Sequence, residues 1–238
     1  MAKRQELQDR RRRAARRQRI AVVAVIAAVI IIVGAVFLIE NRQNNQSVGS
    51  FVQITPVAYP DATGRQMGNP NAPVVMQEFA DFQCPYCGEF ARTTQQQVVD
   101  QFVDTGKVLF IFHNFPLPSL EPESGDAALA AMCAIDQNQF WRYHDMLYAN
   151  QTGENVGDFT SSRLIAFAGA LGMDKTSFSE CLDSKKYQSQ IDQDVALGNS
   201  LGVQSTPTFD INGKLVEGAE PIDVFAQAID QALAAKGK

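Results

Sequence analysis

Two cysteines flank a Pro-Tyr pair in EFADFQCPYCGEF, residues 78–90. The Cys84-Pro85-Tyr86-Cys87 spacing suits three chemistries. Thiol–disulfide exchange needs two sulfurs within bonding reach, and residues three apart on a helix are neighbours. A zinc knuckle uses the same spacing but needs a second close pair of Cys or His ligands. A structural staple needs only the two thiols. The other cysteines, Cys133 and Cys181, lie 48 residues apart, and the chain has 2 histidines. That ligand count disfavours zinc, and no metal site is expected.

The flanking elements decide what the thiols do. APVVMQEFADF reads as a buried strand over 74–79, and a helix should start near Cys84. Phe90, Ala91, Val98, Phe102 and Val103 form its apolar stripe, with Gly106 as its stop. KVLFIFHNF, beginning at Lys107, is a second strand, so the order suggests a parallel βαβ unit. A cysteine at the start of that helix meets unpaired N–H groups and a partial positive charge, which lower its pKa. Cys84 holds that position and reads as the nucleophile. Cys87, one turn on, reads as its more buried partner. Pro85 starts the helix without wasting a hydrogen bond, and Tyr86 is the tuning position between the thiols.

Residues 122–202 show helical periodicity and no convincing strand. Phe140, Trp141, His144, Leu147 and Tyr148 make one stripe; Leu164, Ile165, Ala168 and Leu171, closed by Gly172, make another; Tyr187, Ile191 and Val195 make a third. Strands return in TPTFDINGKLVEG, where Asn212-Gly213 signals a tight hairpin. Pro221 suits the first position of a last helix that buries Ile222, Phe225, Ala226, Ile229 and Leu233.

The N-terminus carries a separate signal. Residues 1–19 hold nine Lys/Arg against Glu6 and Asp9, a net charge of +7 in a chain whose total is -5. Residues 20–39 carry no charge and, as a helix, would span ~30 Å of bilayer. Basic flanks stay cytoplasmic, which places everything from Glu40 onward outside. A cleaved signal peptide is the alternative, but its apolar core is shorter and a small-x-small site follows it. Beside a membrane span the basic tail reads as a topology signal, and no nucleic-acid partner is expected. Residues 40–68, rich in Asn, Gln, Gly and Pro, read as a tether.

With these elements in place, EFADFQCPYC, FHNFPLP, AAMCAIDQNQFWRYHDMLYANQ, FSECLDS and LGVQSTPTFDING resemble the DsbA family of bacterial disulfide-bond oxidases. The resemblance covers nearly all of residues 69–236, and the membrane-anchored form with a second cysteine pair is similar to DsbA-like proteins of Gram-positive bacteria. It implies an α/β thioredoxin fold with an inserted helical domain, here preceded by one transmembrane helix. The expected divisions are a tail (1–19), an anchor (20–39), a linker (40–68), a thioredoxin-like domain (69–121 and 204–238) and a helical insert (122–203). It implies a cis-proline loop at Thr206-Pro207, where the Thr206 backbone pairs with a substrate strand. Ser205 stands where many relatives carry Gly, and Tyr86 where the family's name-giving oxidase carries His. Glu78 matches the buried acid beneath the disulfide, able to exchange a proton with Cys87; otherwise it is a solvent-facing strand residue.

Leu129, Met132 and Cys133 share one helical face and Phe178, Cys181 and Leu182 another, so both cysteines point inward. An extracytoplasmic location favours a Cys133–Cys181 disulfide over two buried free thiols. His144 reads as a packed core histidine, and His113 is given no role. Phe82, Phe115, Leu117 and Pro118 read either as an apolar groove or as core. The resemblance implies an enzyme with no cofactor that donates disulfides to reduced secreted proteins. It implies reoxidation by a quinone-linked membrane partner, and a monomer is expected. An anchored reductase or isomerase is the alternative direction. A non-enzymatic peptide-binding or chaperone module is the alternative of another class.

Overall fold

The computed structural model describes residues 30–34, 48–55 and 57–236. The chain divides into two units, Met1–Ser47 and Val48–Lys238. In the first unit residues 30–34 are helical, with Ile30 to Val33 exposed. The expected span at 20–39 otherwise lies outside the described residues, as do the basic tail and residues 40–47. Among the described residues no helix is long and apolar enough to cross a membrane.

The second unit is built on a five-stranded sheet in the order β1-β3-β2-β4-β5. The strands are β1 (Gln66–Met67), β2 (Val74–Ala80), β3 (Val108–Asn114), β4 (Thr208–Ile211) and β5 (Lys214–Glu217). β2 and β3 pair in parallel from Val74↔Val108 to Ala80↔Asn114, as the βαβ reading requires. β4 runs antiparallel to β2, with Glu78 opposite Phe209. Asn212 and Gly213 both have positive φ, 50° and 91°, which a two-residue type I′ hairpin needs.

The β2–β3 crossover consists of α1 (Pro85–Thr93), α2 (Gln95–Val98) and a π-turn over Val99–Val103. The continuous helix expected here is therefore interrupted at Thr94. Gly106, at φ 72°, lets the chain turn into β3. Between β3 and β4 come α3 (Glu123–Cys133), α4 (Phe140–Ala149), α5 (Ser161–Ala170), α6 (Lys175–Asp183) and α7 (Gln188–Leu201). α6 is capped by Asp174, whose Oδ1 accepts from the Ser177 N–H at 2.7 Å. The last helix, α8 (Ile222–Lys236), buries Phe225, Ala228 and Ile229. Pro221 precedes its first residue rather than occupying it.

One apolar core runs through sheet and helical block, because α4 sets Phe140 and Trp141 against Phe112 of β3. α7 packs on the opposite sheet face beside Phe79 and Phe115. It approaches so closely at Gly198 that a Cβ there would sit 2.7 Å from the Phe115 ring.

The polar stretch read as a tether lies, from residue 48 onward, on the folded unit. Val52 and Asn150 exchange two hydrogen bonds, at 2.7 and 2.9 Å. Phe51 packs edge-on against Phe167, Tyr59 meets Trp141, and Arg65 pairs with Asp194 of α7. β1 extends the sheet from within this stretch, so the folded unit begins well before residue 69. Polar composition concealed a few anchoring aromatics, whose partners lie far along the chain.

Candidate active site

The β2–α1 turn places the dithiol. Cys84 is the N-cap of α1, extended at φ −65° and ψ 121°, and Pro85 opens the helix. Cys84 and Cys87 are free thiols, and both are buried. Tyr86 between them is 62% exposed. The Cys84 thiol donates to the Thr206 carbonyl oxygen at 3.2 Å, and the Thr206–Pro207 peptide bond is cis. The loop before β4 thus lies directly against Cys84.

The electrostatics of the two sulfurs diverge. Cys84 is pulled from 9.0 to about 6, first by the hydrogen bond from the Cys87 thiol, against the effect of burial. The Thr206 side chain and the backbone N–H groups of Cys87 and Tyr86 pull the same way. The Thr206 hydroxyl has no partner while Cys84 is a thiol, so it is free to turn toward a thiolate. Cys87 is pushed well above 9.0 by burial, then by its bond to Cys84 and the charges of Cys84 and Glu78. One proton therefore leaves Cys84 readily while the other is retained on Cys87.

Glu78 lies on the inward face of β2, fully buried, with neither carboxylate oxygen hydrogen-bonded. Desolvation raises it from 4.5 to about 8, so it holds its proton at neutral pH.

A polar frame that the sequence did not disclose holds the turn in place. Asp81 accepts from the Gln83 and Leu117 backbone N–H groups at 2.8 and 2.7 Å and from the Ser124 hydroxyl at 2.7 Å. The Gln83 amide donates to Ser124 Oγ at 2.9 Å, and its oxygen accepts from the Asn155 N–H at 2.6 Å. Gln151, just past α4, donates to the carbonyls of Phe82 and Cys84 at 2.9 and 2.8 Å. A side chain at Gly88 would strike Gln151 Oε1 at 2.1 Å, so the bare helix start leaves room for this clamp. In sequence these residues are ordinary turn and loop polars; their one signal was proximity to the cysteines, or membership of the α4 segment.

The remaining candidates separate. Phe82 is core, stacked on Phe112, and so does not line a groove. Phe115 packs beneath α7, Leu117 is half-buried and Pro118 is exposed. His144 is fully buried against Phe82, Phe112 and Tyr148. His113 stacks on Phe79 and bonds to Asp194 and Gln77 at 2.9 and 3.0 Å, away from the dithiol. Cys133 and Cys181 are joined in a disulfide that ties α3 to α6, with Cα atoms 5.9 Å apart.

The thioredoxin family profile matches residues 61–231. The probable disulfide bond formation protein D of Bacillus cereus is 31% identical over 72% of this chain and 80% of that protein. The Na(+)/H(+) antiporter NhaA 3 of Salinispora tropica is 34% identical over 70% of this chain, which spans only 24% of that protein. Among solved structures, oxidised BdbD of Bacillus subtilis superposes with a TM-score of 0.66 at 27% identity, covering 72% of this chain and 93% of that one. Wolbachia pipientis α-DsbA1 gives 0.63 at 26% identity, covering 72% and 91%. A dithiol at the N-terminus of the first helix of a thioredoxin fold, with a helical insertion, defines a thiol:disulfide oxidoreductase. Within that class the chain belongs to the DsbA family.

Proposed function

We propose that the chain is an extracytoplasmic oxidase that donates a Cys84–Cys87 disulfide to secreted proteins while they fold. The observation that carries this reading is the split between the two thiols. Cys84 is lowered to about 6 and Cys87 is raised, so the reduced form is stabilised as a thiolate–thiol pair. A disulfide gains none of that stabilisation, and a protein whose dithiol is favoured gives its disulfide away, as DsbA does.

The reaction runs in two exchanges. A substrate thiolate attacks Cys84 Sγ, the Cys84–Cys87 bond breaks, and Cys87 leaves and takes up a proton. A second substrate thiol then loses its proton and attacks the substrate sulfur of the mixed disulfide, and Cys84 leaves as a thiolate. Two electrons pass from the substrate dithiol to the protein's disulfide. The protonated Glu78 is the proton donor to Cys87, and the Thr206 backbone is the edge that pairs with the substrate strand. Pro85 and Pro207 hold the helix start and the loop on either side of Cys84, while Tyr86 faces the partner. A quinone-linked membrane protein would return the dithiol to the disulfide.

Replacing Cys84 with Ser is expected to abolish oxidative refolding of a reduced substrate. Retention of that activity would leave only a binding or chaperone role. The charge asymmetry around residues 20–39 supports anchoring with the N-terminus inside. Protease added to intact spheroplasts should remove the domain, and full protection would contradict the topology.

A further inference from the structure

The groups of α1 that favour the Cys84 thiolate are the Cys87 thiol and then the N–H groups of Cys87 and Tyr86. Cys84 itself precedes that helix as its N-cap. The peptide link between Cys84 and Pro85 therefore decides whether those donors stay aimed at the sulfur. That link has no N–H of its own, and its oxygen is held by the helical insertion. Gln151 Nε2 donates to the Cys84 carbonyl at 2.8 Å and to the Phe82 carbonyl at 2.9 Å, so it spans the turn before α1. The Gly88 N–H reaches the same Cys84 oxygen at 3.2 Å. The other end of Gln151 is also fixed. Its Oε1 accepts from Arg92 of α1 at 3.3 Å, and the same guanidinium nitrogen donates to the Tyr148 carbonyl at 3.0 Å. Arg92 folds back over Gly88, where an added Cβ would stand 2.7 Å from that nitrogen. The loop behind Gln151 is anchored as well. Asp158 accepts from the Thr152 hydroxyl at 2.8 Å and from the Gly153 N–H at 3.3 Å. Glu123 of α3 accepts from the Gly157 and Phe159 N–H groups at 2.8 and 3.0 Å.

We infer that Gln151 is a positioning residue for the exchange reaction: by gripping the Cys84 carbonyl it keeps the donors of α1 aimed at the Cys84 sulfur. The inference deepens the proposed oxidase reading and rests on Cys84 being the thiol that forms the mixed disulfide. A side-chain amide has two N–H donors, and Gln151 commits both to this turn. The two bonds resist rotation of the Cys84–Pro85 peptide. Without them the helix start is free to swing away from the sulfur. The cis-proline loop touches the sulfur itself through the Thr206 carbonyl. The insertion thus holds the backbone of the same residue whose side chain the loop contacts, and it acts in the chemistry as well as in packing. The charged and titratable groups around the turn are Cys87 and Arg92 of α1, Glu78 of β2 and Asp81 after it, Tyr148 of α4 and Asp158 of the loop. Arg92 is exposed, so solvent screens its charge, and its part is to hold Gln151 in place.

The test uses the full-length protein with Cys133–Cys181 left oxidised. It reads the pH midpoint for alkylation of Cys84 by iodoacetamide, and the equilibrium of Cys84–Cys87 with glutathione near pH 8. Gln151→Met keeps the length of the side chain and removes its donors. It is expected to raise the Cys84 midpoint by about one unit, from about 6, and to shift the glutathione equilibrium roughly tenfold toward the disulfide. Gly88→Ala should move both readings in the same direction, because its methyl group displaces Gln151 and Arg92 while alanine favours the helix. It decides the matter if Gln151→Met does not fold. A side chain that served packing alone would weaken the protein toward urea and leave both readings where they were. A Cys84 midpoint within about 0.3 unit of the parent, or an equilibrium within about twofold, overturns the inference. If the parent itself titrates near 9.0, the oxidase reading falls and the inference with it; if the parent and Gln151→Met both titrate near about 6, only the role of Gln151 falls.

Discussion

At the residue scale the site depends on burial acting oppositely on neighbouring groups. Cys84 overcomes its burial because a thiol, a hydroxyl and two backbone N–H groups all favour its thiolate. Glu78 has no such partners, and its raised value, about 8, follows from desolvation alone. The unfolded chain ionises Glu78 above about 4.5, while the native state keeps the proton until about 8. The native state thus binds the extra proton in that window, and stability falls as pH rises through it. Glu78→Gln never ionises. Urea unfolding of the oxidised protein should show parent and variant similar near pH 5, with the variant more stable near pH 8 by on the order of 2–4 kcal/mol. Parallel pH curves would show that Glu78 is not the buried acid described. Cys84, Cys87 and Thr206-Pro207 were legible because their types and spacing are unusual. Asp81, Gln83 and Gln151 were not, since a polar residue at a strand end or loop looks the same whether it is solvated or clamps a turn. Glu78 lay between: Val75 and Met76 are both apolar, so strand alternation did not fix its face.

At the element scale the parallel β2–β3 pair and the single crossover put the start of α1 at the carboxyl end of β2, and the cis-proline loop delivers Thr206 to the same place. The helical insertion shares its core with the sheet, and its Cys133–Cys181 bridge joins α3 to α6. Closing a loop of 48 residues stabilises by ~4 kcal/mol in the chain-entropy estimate, and measured values are often lower. The double variant Cys133→Ala/Cys181→Ala should therefore lose on the order of 2–4 kcal/mol in urea unfolding while keeping exchange activity. A change within experimental error would mean that the bridge closes a loop already ordered in the unfolded chain. Periodicity revealed β2, β3, the hairpin and the insert's helices, which are long or carry turn signals. It missed β1, because two residues have no period, and the π-turn, because its Phe102 and Val103 fit a helical stripe equally well. It also misread residues 48–68, where Phe51 and Tyr59 each dock on partners more than 80 residues away.

At the scale of the whole molecule, two electrostatically opposed parts are joined in one chain. A basic segment before residue 20 precedes an acidic folded unit, and the charge asymmetry supports holding that unit outside the membrane. On the proposed reading the unit works in an oxidising compartment, where a bridge such as Cys133–Cys181 persists. On the proposed oxidase reading the dithiol is favoured over the disulfide, and electrons flow from substrate to Cys84–Cys87. Tyr86, without a charge, places the whole weight of that claim on the helix start, Thr206 and Cys87. The reduction potential of the Cys84–Cys87 pair, read by equilibration with glutathione while Cys133–Cys181 stays oxidised, tests it directly. The account predicts a potential above about −180 mV, in the range of disulfide donors; a value near or below about −270 mV, that of thioredoxin, would contradict it and make the protein a reductase.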